Sequence, residues 1–140
     1  MRLKIVFITG IIIIVACLVA GCGAQATPVY AQGTVKDQIV AATAPIAQDI
    51  LNGIQQDNYA LYTKDFDAAM LKASTQASFE TMIKSFAPYG EFKSSDLINV
   101  EIVDPYYRVN YKLTFANRVL TMGVVVPQSG TAAVSGLWFK

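Results

Sequence analysis

The sequence predicts an α+β fold in which N-terminal helices pack on a curved, four-stranded antiparallel sheet. Apolar residues from Thr34 into the eighties recur at the three- and four-residue spacing of amphipathic helices. From Glu91 onward the apolar period changes to two, which is the pattern of strands. The connections between these strands are short, and short connections favour antiparallel pairing.

The first twenty residues have the layout of a signal peptide. Arg2 and Lys4 supply positive charge, and the run from Ile5 to Ala20 is almost entirely apolar. As a helix this sixteen-residue run would be about 24 Å long, whereas a spanning helix must cross a hydrocarbon core of about 30 Å. The run therefore predicts a cleaved leader better than a membrane-spanning helix.

The leader is followed by Leu18-Val19-Ala20-Gly21-Cys22, which resembles the lipobox of bacterial lipoproteins. The resemblance implies cleavage between Gly21 and Cys22, a thioether-linked diacylglycerol on Cys22, and a new N-terminus open to acylation. Two or more acyl chains give stable membrane anchoring. We therefore expect a signal peptide at 1–21, a lipidated tether at 22–33 and a folded domain at 34–140. The protein would then face the extracytoplasmic side of the cell membrane or of an outer membrane.

Two other interpretations of the leader stay open. In the first, the leader is an uncleaved membrane anchor. In the second, it is an ordinary secretory signal and Cys22 is not modified. Under the lipoprotein interpretation Cys17 is removed with the leader, so no cysteine pair remains for a disulfide.

The composition of the mature chain excludes several functions. Loss of Arg2 and Lys4 leaves nine basic against ten acidic residues, so no basic nucleic-acid-binding footprint remains. The chain has no histidine, which excludes imidazole-based catalytic triads and metal sites with a histidine ligand. We expect no cofactor and no nucleic-acid partner.

Three helical segments precede the sheet. The first begins at Thr34, and Pro45 inside it predicts a kink or a restart near Thr43, which leaves one helix or two. Its apolar positions are Val35, Ile39, Ala42, Ile46, Ile50 and Ile54. Next we expect a turn and a short helix, with Asp65 and Asp67 at the helix start, where acidic residues complement the helix dipole. The third has the cleanest pattern, with apolar residues at Phe79, Met82, Ile83 and Phe86.

The four strands follow in order. The first contains the alternating residues Ile98, Val100 and Ile102, and Asp104-Pro105 ends it. The second runs from Tyr107 to Phe115, and Asn117-Arg118 predicts a hairpin turn. The third, 119–126, is almost wholly apolar, which is typical of a central strand, and the fourth spans 131–139.

Several aromatic and glycine positions are similar to those of small domains of unknown function in the nuclear transport factor two-like superfamily, which has a cystatin-like cone fold. The matching strings are Ile54-x-x-x-Asn58-Tyr59, Phe66-Asp67-x-x-Met70 and Phe86-x-x-Tyr89-Gly90-x-Phe92. The resemblance covers 34–140 and implies a pocket between helices and sheet. Members of that superfamily use the pocket for a ligand, for catalysis or for pairing with another domain.

Five aromatic residues are candidates for lining such a pocket, because their side chains combine apolar area with a hydrogen-bonding tip. They are Tyr59, Tyr62, Tyr107, Tyr111 and Trp138. Aromatics at alternating strand positions also commonly fill a core, so both roles stay open. Arg108, Lys112 and Arg118 predict a basic sheet face that is either solvated or in contact with a protein.

These observations favour a non-enzymatic, lipid-anchored domain that meets the membrane through Cys22 and binds another protein, or itself, through its sheet face. The alternative is a small-molecule binding module that uses the pocket between helices and sheet. A hydrolase or isomerase that uses an Asp/Tyr pair is less favoured, because it needs a buried carboxylate with a raised pKa.

Overall fold

The structure is a computed structural model that describes residues 27–140, so the leader, Cys22 and the start of the tether lie outside the described residues. A short strand comes first and four helices follow; the main strands come last. The elements are β1 (Val29–Tyr30), α1 (Gly33–Gln55), α2 (Tyr59–Tyr62), α3 (Ala68–Ala73), α4 (Gln76–Phe86), β2 (Phe92–Val103), β3 (Tyr106–Phe115), β4 (Val119–Pro127) and β5 (Gly136–Phe139). The α+β class is confirmed.

The strands form one open antiparallel sheet in the order β1-β2-β3-β4-β5. The four expected strands are present, but the four-strand count is wrong, because β1 adds a fifth. Val29 pairs with Ile102, and the Ala31 amide donates to the Val100 carbonyl at 2.8 Å. Residues 29–33, which the sequence assigns to the tether, therefore belong to the folded domain. A strand of two residues is too short to show an alternating pattern.

Helix α1 is one continuous helix, so the restart that Pro45 predicts does not occur. Pro45 is exposed, and the neighbouring Ala41 and Ala44 are exposed as well. The backbone hydrogen bond that proline removes therefore lies toward solvent, where its loss leaves no buried carbonyl without a partner. The buried face continues through Ile46 and Ile50, and packing of that face holds the helix together.

Each of the three short helices begins at a capping side chain. Asn58 accepts from the Leu61 amide at 3.1 Å, Asp67 from the Met70 amide at 2.8 Å, and Thr75 from the Ser78 amide at 3.2 Å. The predicted helix-start role is confirmed for Asp67, but it is wrong for Asp65, which lies in the turn before Phe66 and caps no helix of residues 27–140. The backbone hydrogen bond from Met70 is the main cause of the lowered pKa of the Asp67 carboxyl.

The last strand is shorter than predicted, because the residues before Gly136 contact the helical part of the domain and lie outside the ladder with β4. Val134 forms an isolated parallel bridge with Phe66. Its amide donates to the Asp65 carbonyl at 2.8 Å, and its carbonyl accepts from the Asp67 amide at 3.0 Å. We call this contact the Val134 bridge. It ties the β4–β5 connection to the helices, and Val134 itself is fully buried.

The two sides of the sheet differ in character. Val109, Leu113, Met122 and Val124 point to the helices and are completely buried with the apolar face of α1. Alternate side chains along the same strands point the other way, as pleated strands require. We call that side the outer face; its central residues are Asp96, Asn99, Glu101, Arg108, Asn110, Lys112, Gly123 and Trp138.

Candidate functional site

Tyr59 and Tyr62 lie on α2 and pack on the helices. The Tyr62 ring lies 4.7 Å from Phe79 and 5.1 Å from Phe66, between ring centroids. Burial, with a smaller contribution from Tyr59, raises the pKa of Tyr62 to about 12. The Tyr59 hydroxyl donates to the Ser74 carbonyl at 2.6 Å. Tyr62 is thus a core residue, whereas Tyr59 borders a surface cavity of about 360 Å³ together with Phe79 and neighbouring α4 residues.

Tyr107 and Tyr111 lie on the helix-facing side of β3. Tyr107 lines a cavity of about 260 Å³ between the first half of α1 and the end of β4. Thr43 lies at the wall of this cavity, beside the buried Tyr111. Burial raises the pKa of Tyr111, and the neighbouring Thr43 hydroxyl partly opposes that rise. The Thr43 hydroxyl itself donates to the Ile39 carbonyl at 2.8 Å.

Trp138 lies on the outer face, on the opposite side of the sheet from the tyrosines. Pairing aligns it with Gly123 on β4, Asn110 on β3 and Asn99 on β2. A Cβ atom placed on Gly123 would lie 2.1 Å from the indole Nε1, so the indole occupies the space that the glycine leaves free. The structure therefore does not bring the five predicted aromatics together in one pocket.

A further cleft among the described residues is lined by phenylalanines. It has a volume of about 400 Å³ and lies between the end of α1, α4 and the start of β2. Its apolar lining is Ile54, Ile83, Phe86, Phe92 and Phe115. We call it the phenylalanine cleft. Glu91 stands at its rim and pairs with Lys93, which lowers the pKa of the Glu91 carboxyl.

Sequence reasoning missed this cleft, because phenylalanines at helix and strand spacing are typical of core residues. The rings of Phe86 and Phe92 both make edge contacts with Phe115, at 6.1 and 5.5 Å between centroids. Nothing in the spacing indicates that the space beside these rings is open. The signal available was the cluster of Gly90 and aromatic residues at the α4–β2 junction.

The outer face carries equal numbers of acidic and basic side chains in its centre, so its net charge there is zero. Arg108 Nη1 lies 2.9 Å from Glu101 Oε2, and Lys112 Nζ lies 3.6 Å from Asp96 Oδ2. The predicted basic face is therefore wrong, since acidic residues of β2 neutralise the basic residues of β3. Arg118 lies elsewhere, with its guanidinium 4.9 Å from the centre of the Tyr89 ring.

The middle of the outer face holds polar atoms that are buried and unpaired. Asn110 is only 8% exposed, although its side chain points away from the helices. Its Nδ2 donates to Asn99 Oδ1 at 2.7 Å, while its Oδ1 has no hydrogen-bond partner within the described residues. The same is true of Arg108 Nε. Such atoms cost stability until a partner supplies the missing hydrogen bonds.

Residues 27–140 contain no cluster of three or more Cys, Asp and Glu side chains that could bind a metal ion. No carboxylate of this range is buried, so the Asp/Tyr enzyme hypothesis gains no support from it. Across the same range, every helix is too short or too polar to cross a bilayer.

No protein-family model, curated protein or solved structure matches this chain. The likeness to the nuclear transport factor two-like superfamily therefore stays a prediction from the quoted motif. The fold and the surface chemistry of the described residues are the basis for any functional proposal.

Proposed function

We propose that this protein is a lipid-anchored extracytoplasmic binding domain without enzymatic activity, and that its outer face binds a protein. The lipobox at 18–22 supports the anchor, with Cys22 as the modified residue. The observation that carries the binding role is the outer face itself. It is not covered by the helices, and the Trp138 indole occupies the space above Gly123 on it. Half-buried aromatic side chains are enriched at protein interfaces.

The charges of the outer face favour a second copy of the chain as the partner. Asp96 and Glu101 form an acidic column on β2, and Lys112 and Arg108 form a basic column directly beside it on β3. A two-fold axis along the groove between these strands would place each acidic column over the basic column of the other copy. A closed, isologous dimer needs this kind of self-complementary surface.

Photo-crosslinking in membranes tests the proposed face. A photoreactive residue replaces Thr121, which neighbours Lys112 on the outer face, and the matched control replaces the exposed Thr81 of α4. We expect a crosslinked species of twice the monomer mass from position 121 alone. A larger or smaller adduct would identify a different protein partner. Equal crosslinking at both positions, or none at position 121, would contradict the proposal.

A charge exchange tests the two-column arrangement. Lys112→Glu places like charges together in one row and should weaken the crosslink from position 121. Adding Asp96→Lys restores one acid and one base in that row, so the double variant should recover the crosslink. Both side chains are about half exposed, so the exchange leaves the core unchanged. Recovery would not occur if Lys112→Glu acted only by unfolding the domain.

The phenylalanine cleft favours a second candidate function, the binding of a small apolar molecule. Its volume of about 400 Å³ falls within the usual range of ligand pockets, roughly 300–1,000 Å³. The neutral dye N-phenyl-1-naphthylamine is a suitable probe. Ala87→Trp, at an exposed residue that lines this cleft and not the cavity beside Tyr59, fills the cleft, while Ile39→Trp fills the cavity beside Tyr107 and serves as the control. The function predicts that Ala87→Trp alone abolishes dye fluorescence; unchanged fluorescence in Ala87→Trp would exclude the cleft.

A further inference from the structure

Three exposed apolar side chains flank the β1 edge of the sheet, with Val29 on the helix-facing side and Tyr30 and Ile98 beside each other on the other side. Val29 is 60% exposed, Ile98 48% and Tyr30 43%. Tyr30 and Ile98 line the same shallow depression, of about 210 Å³, together with Lys36 from the start of α1. We call Val29, Tyr30 and Ile98 the edge patch. Clustered exposed apolar side chains mark contact surfaces more often than isolated ones do.

The exposure of Ile98 results from the strand itself. The β2–β3 register shifts between Leu97 and Asn99, so Ile98 is left out of the ladder and its side chain does not enter the core. A bulge of this kind redirects a side chain. Here it places an isoleucine beside Tyr30 at the surface. Because Ile98 does not contribute to the core, core packing does not explain why this residue is apolar.

The edge patch is also where the tether joins the domain. Six residues lie between Cys22 and Val29, so the seven Cα–Cα steps of even a fully extended tether reach only about 25 Å. Val29 lies in the row of Tyr107, and Val119 lies in the row of Thr114 at the other end of β3. The offset of seven residues between these rows corresponds to about 23 Å along the strand, so Val119 lies at the end of the sheet farther from the tether. A lipid on Cys22 therefore keeps the edge patch within about 25 Å of the bilayer, and the edge patch is the end of the sheet nearest to the anchor.

We infer that the edge patch lies on the membrane surface, with Val29, Tyr30 and Ile98 in the interfacial region of the lipid and Lys36 beside the phosphate groups. The inference rests on the proposed Cys22 anchor. Tyrosine prefers the level of the headgroups, and lysine places its ammonium among phosphates while its methylenes cover apolar surface. An acyl anchor combined with an apolar protein contact orients a domain as well as retaining it.

Val29 and Val119 make a matched pair for the test, because they are the same residue type and are 60% and 58% exposed. Val29→Cys and Val119→Cys each introduce one reactive thiol into the full chain, since the mature lipoprotein has no free cysteine once Cys22 is modified. The thiols receive a polarity-sensitive fluorophore. The lipoprotein is then reconstituted into phosphatidylcholine/phosphatidylglycerol vesicles, with and without brominated acyl chains.

We expect a blue shift and strong quenching by brominated lipid at position 29, and neither at position 119. Equal emission at the two positions in protein that floats with the vesicles would overturn the docking and leave the anchor intact. Protein that does not float would overturn the anchor and the docking with it. Labelling of the chain without an introduced cysteine would show that Cys22 is unmodified. Ile98→Cys provides a second patch position if Val29→Cys does not fold.

Discussion

Replacement of Gly123 by alanine should lift Trp138 off the sheet. The added Cβ would lie 2.1 Å from the indole Nε1 and 2.2 Å from Cε2, whereas ordinary contacts begin at 3.4 Å. The methyl group belongs to a central strand held between β3 and β5, so it is the indole that moves. The ring must rise by at least 1.3 Å, the difference between 3.4 and 2.1 Å.

The energetic cost of this displacement is small. A tryptophan buries about 150–250 Å². If about 60 Å² of the indole surface becomes exposed to solvent, the free energy of unfolding falls by roughly 1.5 kcal/mol, at about 25 cal/mol per Å². Replacing a strand glycine by alanine returns about 0.5 kcal/mol through chain entropy. The net destabilisation of about 1 kcal/mol lowers Tm by roughly 4 °C and leaves the domain folded.

The assay is tryptophan fluorescence, because Trp138 is the single tryptophan of the chain. Gly123→Ala should shift the emission maximum to the red and increase quenching by acrylamide. Gly136→Ala is the matched control: its Cβ meets Val125 Cβ at 3.2 Å, which a shift of a few tenths of an ångström relieves. An unchanged emission maximum in Gly123→Ala would refute the stacked position of the indole.

Three further predictions concern the core and the anchor. Gly53→Ala places a Cβ 2.4 Å from the Tyr62 backbone nitrogen, so overpacking of about 3 kcal/mol exceeds a helix-propensity gain of about 1 kcal/mol. Denaturant titration should show that the free energy of unfolding falls by about 2 kcal/mol in Gly53→Ala. It should fall by about 1 kcal/mol in the control Gly33→Ala, because Gly33 has a positive φ but open space around it. An unchanged denaturation midpoint for Gly53→Ala would contradict the close contact with Tyr62. The pKa of tyrosine is near 10 in the unfolded chain but about 12 for Tyr62 in the folded protein, so above pH 10 ionisation favours the unfolded chain. The free energy of unfolding should therefore be constant with respect to Tyr62 below pH 10 and fall by roughly 2–3 kcal/mol toward pH 12. Unfolding free energies between pH 9 and 12 should decline less in Tyr62→Phe; equal declines would assign the loss to other groups. Cys22→Ser should release the protein from membranes or leave an unprocessed precursor, as fractionation and intact mass would show; normal processing with unchanged membrane retention would count against lipidation.

Most of the architecture could be predicted, because it depends on periodicity. The pattern of Phe79, Met82, Ile83 and Phe86 is long enough to identify α4, and the alternation from Tyr107 to Phe115 identifies β3. Predictions from single residues were wrong where packing against the rest of the domain determines the structure. The kink expected at Pro45 does not divide α1, because the proline is exposed and the buried face continues past it.

The site was harder to predict, because periodicity assigns a residue to a face but not to a cavity. Tyr111 and Trp138 both look like inward-facing aromatics, yet they lie on opposite sides of the sheet. Alternation along a strand assigns Tyr111 and Trp138 to different faces of the sheet only when the pairing of β4 with β5 is known. The acidic partners of Arg108 and Lys112 likewise depend on the β2–β3 register, which two bulges shift. A count of basic residues on β3 alone therefore predicts the wrong charge.

The Val134 bridge makes the helices and the last strand mechanically dependent on each other. Val134 bonds to Asp65 and Asp67 on the helix side, and two residues later β5 begins, with Trp138 at its centre. The Asp67 carboxylate also caps α3, so the same short segment starts a helix and holds the route to β5. A displacement of α3 would therefore strain the two hydrogen bonds of Val134 and, through them, the segment that leads to Trp138 on the outer face.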